Sequence, residues 1–200
     1  MSQACAFHSP FPEFLSEMGI YHQQWGALVL KLRQIQMADE LGKKRVAAFT
    51  IALGRALGRA DQDIRVTARA AVLHDVETDT IPFTNVSEIV AAQHESFDGT
   101  GFPKGLKGEE IPPGARILRV ADALEALLTG RPPLGDNVIA WAESEWRSHR
   151  AASIPEAKRA IQRASGTLFD PNVVNVFLSM PDGVWADLMQ HISTLPGPLA

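Results

Sequence analysis

Apolar residues along this chain recur with a helical period and not with the alternation of a strand. Between Trp25 and Leu41, and again between Lys43 and Leu57, large apolar side chains return every three or four residues. That spacing places them on one face of a helix, because an α-helix completes a turn in about 3.6 residues. Gly58 predicts the end of the second helix, since glycine readily adopts the backbone conformation that ends helices.

Residues that favour helix starts divide the rest of the chain into further helices. Asp61 is expected to cap a helix that ends at His74, and Asn85 with Glu88 predicts the start of a short helix to Gln93. Later starts are marked by a proline or a small polar residue at the first turn, at Pro113, Asp136, Ser153, Asp170 and Pro181–Gly183. No alternating apolar and polar run lies between them. We therefore predict an all-α bundle without a sheet.

Composition narrows the classes of function. The hydrophobic fraction of 46% is ordinary for a globular protein of one domain, and the net charge of −4 gives no basic footprint for nucleic acid. No apolar run approaches the roughly 20 residues that span a bilayer, and no secretory signal is evident. Cys5 is the single cysteine and cannot form an internal disulfide. We expect a cytoplasmic protein that binds neither nucleic acid nor membrane.

Three groups of residues carry candidate chemistry. His74 and Asp75 end an apolar run, His94 and Asp98 open a glycine-rich loop, and Asp122 lies inside an apolar helical segment. Imidazole and carboxylate groups are suitable ligands for divalent iron or manganese. A glycine-rich loop can bring main-chain N–H groups close to a ligand. The pattern therefore indicates a metal or phosphate site.

Five segments carry a resemblance to a known family. They are His74-Asp75, HESFDGTGFPKGL, IPPGARILRVADALEAL, Arg131-Pro132 and GTLFDPNVVNVFL. Together they resemble the HD-GYP family, the cyclic di-GMP phosphodiesterases of bacteria. The last segment is not a site motif, so the match runs from about Gly42 to Met180. The resemblance implies an HD-domain-like helical bundle over residues 41–182. Residues 1–40 are then an arm and a helix packing on the core, and residues 183–200 a C-terminal helix and tail.

The resemblance implies that a metal site survives only in part. His74, Asp75, His94 and Asp122 match family ligands, with Asp75 the catalytic candidate if the domain is active. The family's remaining site positions hold residues of the wrong chemistry, namely Ala38, Gly42, Thr78, Gln93, Phe102 and Leu134. A helix that carries a further histidine is expected to be missing, because Gln93 follows Asp75 by only eighteen positions. We expect one divalent iron or manganese ion at most.

Simpler explanations exist for the same residues. His74 could be a hydrogen-bonded core histidine, and Asp122 could pair with a metal, with His74 or with Arg119, because a buried carboxylate needs a partner. The loop that carries the ligand-binding or interaction candidates could instead serve helix packing. Those candidates are Asp98, Gly99, Gly101, Phe102, Pro103 and, beyond the loop, Arg131.

Three functions remain open at this point. The first is a catalytically degenerate HD-GYP-like domain that acts by interaction, with a diguanylate cyclase-type domain or with a second copy of itself. The second is an active phosphohydrolase or phosphodiesterase with a single metal. The third is a receptor that binds a cyclic dinucleotide without turnover.

Overall fold

The structure is a computed structural model that describes residues 40–74, 81, 84–130 and 151–193. Seven α-helices lie within these residues: α1 Glu40–Ala56, α2 Asp61–Leu73, α3 Thr84–Ala91, α4 Pro113–Thr129, α5 Ile154–Arg163, α6 Pro171–Ser179 and α7 Asp182–Ser193. A short 3-10 turn, Gly108–Glu110, precedes α4. The described residues contain no strand, and their one isolated bridge joins Ser165 to Phe169. The prediction of an all-α bundle is confirmed.

Several predicted helix ends are confirmed by their local chemistry. Gly58 and Gly130 follow α1 and α4 with φ values of 65° and 71°, a region that favours glycine because it has no Cβ. Ser153 and Glu156 form a capping box at the start of α5. The carboxylate of Asp170 accepts a hydrogen bond from the N–H of Asn172 and so caps α6.

Two predicted caps are wrong, the first by one residue and the second by two. The N-cap of α2 is Ala60, which makes no side-chain capping bond, and Asp61 is the first helical residue. Helix α3 begins at Thr84, so Asn85 lies inside its first turn. At Asp61 the reason is that an acidic residue in the first turn also interacts favourably with the helix dipole without capping, and the sequence signal for the two roles is nearly the same.

Helix α4 is the centre of the described bundle. It packs against α2, α3, α5 and α6, and most of its residues are buried, including Leu118 and Leu124. A second cluster forms around Trp185 of α7, whose ring lies 5.6 Å from Phe49 and 5.2 Å from Phe177 between ring centroids. Apolar burial of this kind is the main stabilising contribution to the fold.

Some predictions fall on parts of the chain outside the described residues. These are the helix from Trp25, the helix from Asp136, and the site candidates Asp75 and Arg131. The predicted domain boundaries stay predictions. None of the described helices is long and apolar enough to cross a membrane.

Candidate functional site

His74 ends α2 and faces Asp122 in the middle of α4. The imidazole is buried, and its Nδ1 lies 2.6 Å from the carbonyl oxygen of Ala71. A carbonyl can only accept, so Nδ1 carries the proton and donates it. The other ring nitrogen, Nε2, lies 4.0 Å from Oδ1 of Asp122. That separation is too long for a hydrogen bond.

This geometry suits a cation between the two side chains. Histidines that bind metals commonly donate their second ring N–H to a carbonyl, as His74 does to Ala71. With Nδ1 protonated, Nε2 and the carboxylate of Asp122 both present lone pairs, which a positive charge between them would stabilise. The two residues therefore supply two of the three or more protein ligands that a divalent ion usually needs. Within the described ranges, no group of three His, Cys, Asp or Glu side chains is close enough to hold a metal.

Asp122 also lies near a buried cation. Arg119, one turn earlier on α4, is almost fully buried. Desolvation lowers the pKa of Arg119, and the nearby charge of Asp122 partly offsets that effect. Two of the three predicted partners of Asp122, His74 and Arg119, are thus close to it. The predicted ligand set of His74, Asp75, His94 and Asp122 stays a prediction.

Gln93 occupies the position where the resemblance expects the first of two histidines. Its side-chain amide Nε2 donates a hydrogen bond of 2.6 Å to the main-chain carbonyl of His74. His74 is the C-cap residue of α2, and carbonyls at the C-terminal end of a helix have no hydrogen-bond donor within the helix. Gln93 therefore holds the end of α2 and positions His74.

Glu95 organises the glycine-rich loop, residues 94–108, from the inside. Its side chain is buried, and its two carboxylate oxygens accept hydrogen bonds of 2.7 Å from the N–H of Lys104 and 3.0 Å from the N–H of Leu106. Backbone donors satisfy a buried carboxylate well, because the bonds are charge-assisted. The sequence gives no signal for this role, since the residue type alone does not show whether a carboxylate binds a metal or backbone N–H groups.

The same loop is bonded to a segment far along the chain. The N–H groups of Phe97 and Asp98 donate to the carbonyls of Leu168 and Thr167, at 3.3 and 2.9 Å. At Gly101 a Cβ atom would lie 2.1 Å from the backbone nitrogen of Ser96, so no larger residue fits. The loop is therefore held by main-chain bonds to residues 167–168 and by the close approach of its own backbone at Gly101 and Ser96.

The surface of the loop presents an aromatic side chain. The ring of Phe102 stacks on that of His94, with centroids 4.9 Å apart and planes 17° apart, and Phe102 is 36% exposed. Nearby, burial raises the pKa of Asp98, but hydrogen bonds from the Thr100 side chain and backbone and the charge of Lys107 outweigh it. The net result is a pKa of Asp98 below its usual range.

A buried ion pair, which sequence reasoning missed, joins α4 to the start of α6. Arg116 Nη1 lies 2.7 Å from Oδ2 of Asp170, whose side chain is 3% exposed. Near it, Nη2 of Arg119 has no hydrogen-bond partner among the described residues. The two pair members are 54 residues apart in sequence. No local spacing rule connects residues so distant, and Asp170 was recognised only as a helix start.

Comparison with known proteins supports the resemblance. The HD domain family profile matches residues 65–138. A probable cyclic di-GMP phosphodiesterase of Vibrio cholerae serotype O1 is 38% identical over 91 residues, 46% of this chain and 17% of that protein. The cyclic di-GMP phosphodiesterase response regulator RpfG of Xanthomonas campestris pv. campestris is 30% identical over 158 residues, 61% of this chain and 38% of that protein.

A relative with a different printed substrate matches a similar share of the chain. The 3'3'-cGAMP-specific phosphodiesterase 3 of Vibrio cholerae serotype O1 is 31% identical over 163 residues, 64% of this chain and 35% of that protein. This chain thus spans less than two fifths of the length of each of these three relatives.

Proposed function

Because this chain contains a domain of the HD superfamily, we propose that it is a catalytically degenerate HD-GYP-like domain that acts by protein interaction in cyclic di-GMP signalling. The observation that carries the proposal is the hydrogen bond from Gln93 to the carbonyl of His74. A metal-binding histidine is expected at this position, and an amide that stabilises a helix end stands there instead. The relatives named for cyclic di-GMP hydrolysis support the signalling context.

Loss of cyclic dinucleotide hydrolysis follows from the site's chemistry. Phosphodiester cleavage needs a cation to bind a phosphate oxygen and to generate hydroxide from water near neutral pH. Gly42 and Gln93 cannot replace histidine ligands, and Thr78 cannot supply the positive charge of a lysine. A transition state without those charges forfeits several orders of magnitude in rate.

A hydrolysis assay tests this half of the proposal. The full chain is incubated with cyclic di-GMP or 3'3'-cGAMP and with Mn²⁺ or Fe²⁺, and products are separated by chromatography. We expect the same background rate for wild type and for Asp75→Ala. Turnover that Asp75→Ala abolishes would contradict the proposal. Saturable binding of the dinucleotide without turnover would instead favour a receptor.

The proposal that the domain acts by protein interaction rests on the surface of the glycine-rich loop. Phe102 and Leu41 are the exposed large hydrophobic side chains among the described residues, at 36% and 40% exposure. Aromatic side chains at a surface are favoured anchors for protein partners. Phe102 lies on a loop whose backbone is fixed by Glu95, so the ring is presented without a large ordering cost.

Binding to a purified diguanylate cyclase domain tests the interaction. Phe102→Ala is expected to weaken binding about tenfold or more, as truncation of an interface anchor does. Leu41→Ala removes the matched exposed side chain on α1 and should leave binding unchanged. Equal binding by wild type and Phe102→Ala would exclude this surface. Dimerisation that Phe102→Ala abolishes, without cyclase binding, would assign the surface to self-association.

One observation favours a second candidate, a phosphohydrolase with a single metal. The orientation of His74, with Nδ1 donating to Ala71 and Nε2 toward Asp122, is that of a metal ligand. A divalent ion here would polarise a phosphate oxygen and activate water, while His74 and Asp122 would hold it.

Melting curves separate this candidate from the first. Wild type and Asp122→Asn are heated with EDTA, with added Mn²⁺ and with neither. A metal site gives wild type a stability that EDTA removes and that Asp122→Asn lacks. A site without metal gives curves that EDTA and Mn²⁺ leave unchanged in both proteins. Metal analysis of the purified protein should give one ion per chain at most.

A further inference from the structure

A cavity of about 190 Å³ lies between the N-terminal halves of α2 and α4. Its buried lining comes from four helices and includes Thr50, Gly54, Thr67, Ile89, Gly114 and Ile117. It is separate from the pair formed by His74 and Asp122, because Thr67 precedes His74 by seven residues, or about 10 Å along a helix. The cavity is therefore a second candidate site.

Thr50 supplies a buried donor on the wall of this cavity. The residue is 1% exposed, and its Oγ1 has no hydrogen-bond partner among the described residues. Buried hydroxyls are nearly always bonded, because one without a partner destabilises the fold. A ligand atom that accepts from Thr50 would remove that penalty.

The first turn of α4 supplies a second donor. The N–H groups of Ala115 and Arg116 both bond to the carbonyl of Pro112, and Pro113 has no N–H. The amide of Gly114 has no backbone acceptor among the described residues, and it lies at the positive end of a helix of 17 residues. A Cβ at Gly114 would lie 2.6 Å from Ile89 Cδ1, so a larger residue here would displace side chains that line the cavity.

The rim of the cavity adds a cation. Arg59 lines it and pairs with Asp63, whose carboxylate lies 3.0 Å from the guanidinium and neutralises part of its charge. Glu88, the other carboxylate at the rim, is exposed, so solvent screens it. The buried donors are thus Thr50 and Gly114, and the apolar part of the lining includes Ile64, Ile89 and Ile117.

From these features we propose that the cavity binds a small organic carboxylate of about the size of benzoate. The carboxylate accepts from Thr50 and Gly114, and the hydrocarbon part packs on Ile64, Ile89 and Ile117. The volume supports this size, since an engineered apolar cavity of about 150 Å³ in another protein holds benzene. Two buried donors in the lining, one of them at a helix N-terminus, favour an anion over a neutral group.

Titration of the full chain with benzoate, followed by two-dimensional NMR, tests the proposal, and benzamide is the neutral control of matched shape. We expect saturable shifts of the Gly114 and Thr50 amides with benzoate, and binding of benzamide weaker by about tenfold, because it lacks the charge. Equal affinity for the two probes, or shifts confined to other residues, would overturn the proposal.

Two substitutions and one control test which side chains contribute to benzoate binding. Thr50→Val keeps the side-chain shape but removes the hydroxyl, so it should weaken benzoate binding about fivefold to tenfold while the protein stays folded. Arg59→Gln should weaken it less, and Arg55→Gln, an exposed arginine of α1 outside the cavity, should not change it. Wild-type affinity in Thr50→Val would contradict the assigned site even if benzoate binds elsewhere.

Discussion

The side-chain amide of Gln93 donates a hydrogen bond of 2.6 Å to the carbonyl oxygen of His74, across 19 residues of sequence. The resemblance leads us to expect a metal ligand at position 93. The glutamine found there instead bonds to His74, another ligand candidate. The bond holds the end of α2, and the bond from Nδ1 to Ala71 orients the imidazole of His74 within that end. Glutamine at position 93, where the resemblance leads us to expect a histidine, is thus part of the packing that holds the end of α2.

Gln93→Ala should lower the free energy of unfolding by about 0.5–1.5 kcal/mol, the usual contribution of one such bond. Gln93→Glu should cost more at neutral pH, because a carboxylate cannot donate to the His74 carbonyl. Urea denaturation measures both. Gln162→Ala, at an exposed position of α5, is the matched control and should change stability by less than about 0.5 kcal/mol.

Glu95→Ala should destabilise the protein by about 3 kcal/mol or more, because two backbone N–H groups lose their buried acceptors. Glu95→Gln keeps the shape and one acceptor oxygen, so its cost should be smaller. Hydrogen exchange at the amides of Lys104 and Leu106 gives a local readout. Unchanged exchange at both amides in Glu95→Ala would mean that the carboxylate does not hold the loop.

Gly101→Ala and Gly108→Ala should differ sharply in their effect on stability. A Cβ at Gly101 meets backbone atoms of Glu95 and Ser96 at 2.1–2.5 Å, which no side-chain rotation relieves. We expect a loss of at least about 2–3 kcal/mol there. At Gly108, where the space is open but φ is +59°, only the backbone strain of about 1–2 kcal/mol applies. Comparable melting temperatures for the two variants would contradict this.

The buried ion pair of Arg116 and Asp170 should matter far more than the exposed pair of Arg59 and Asp63. Arg116→Met leaves the carboxylate of Asp170, 3% exposed, without its partner, and should cost about 3–5 kcal/mol. Arg59→Gln breaks a pair whose side chains are 39% and 53% exposed, and should cost about 1 kcal/mol or less. Thermal denaturation of both variants measures the difference.

Acid should weaken the glycine-rich loop through Asp98. Its pKa in the folded protein lies below the ordinary value of 3.8, so its stabilising contribution is complete above that value. The contribution is lost as the pH falls through the lower folded pKa. Asp98→Asn should therefore be less stable than wild type at pH 7, and the difference should shrink below about pH 4. A difference that stays constant between pH 7 and pH 3 would exclude this role.

Much of the helical frame could be predicted from the sequence, because capping and periodicity are local. The ends of α1 and α4 at Gly58 and Gly130, and the starts of α5 and α6, follow from residues within one turn. The approach of His74 to Asp122 was expected only through the family resemblance. The roles of Gln93 and Glu95 could not be predicted, since amides and carboxylates bind metals and backbone groups alike, and tertiary distance decides between them.

The main-chain bonds between the glycine-rich loop and residues 167–168 imply that this segment tolerates substitutions better than insertions or deletions. Backbone carbonyls of Thr167 and Leu168 accept the loop's donors, and every residue type carries the same carbonyl. These two bonds therefore place no requirement on the side chains at positions 167 and 168, whereas a single insertion or deletion there would shift both acceptors out of register. A transplant of the loop into another protein would need a host segment of the same path and length, whatever its sequence.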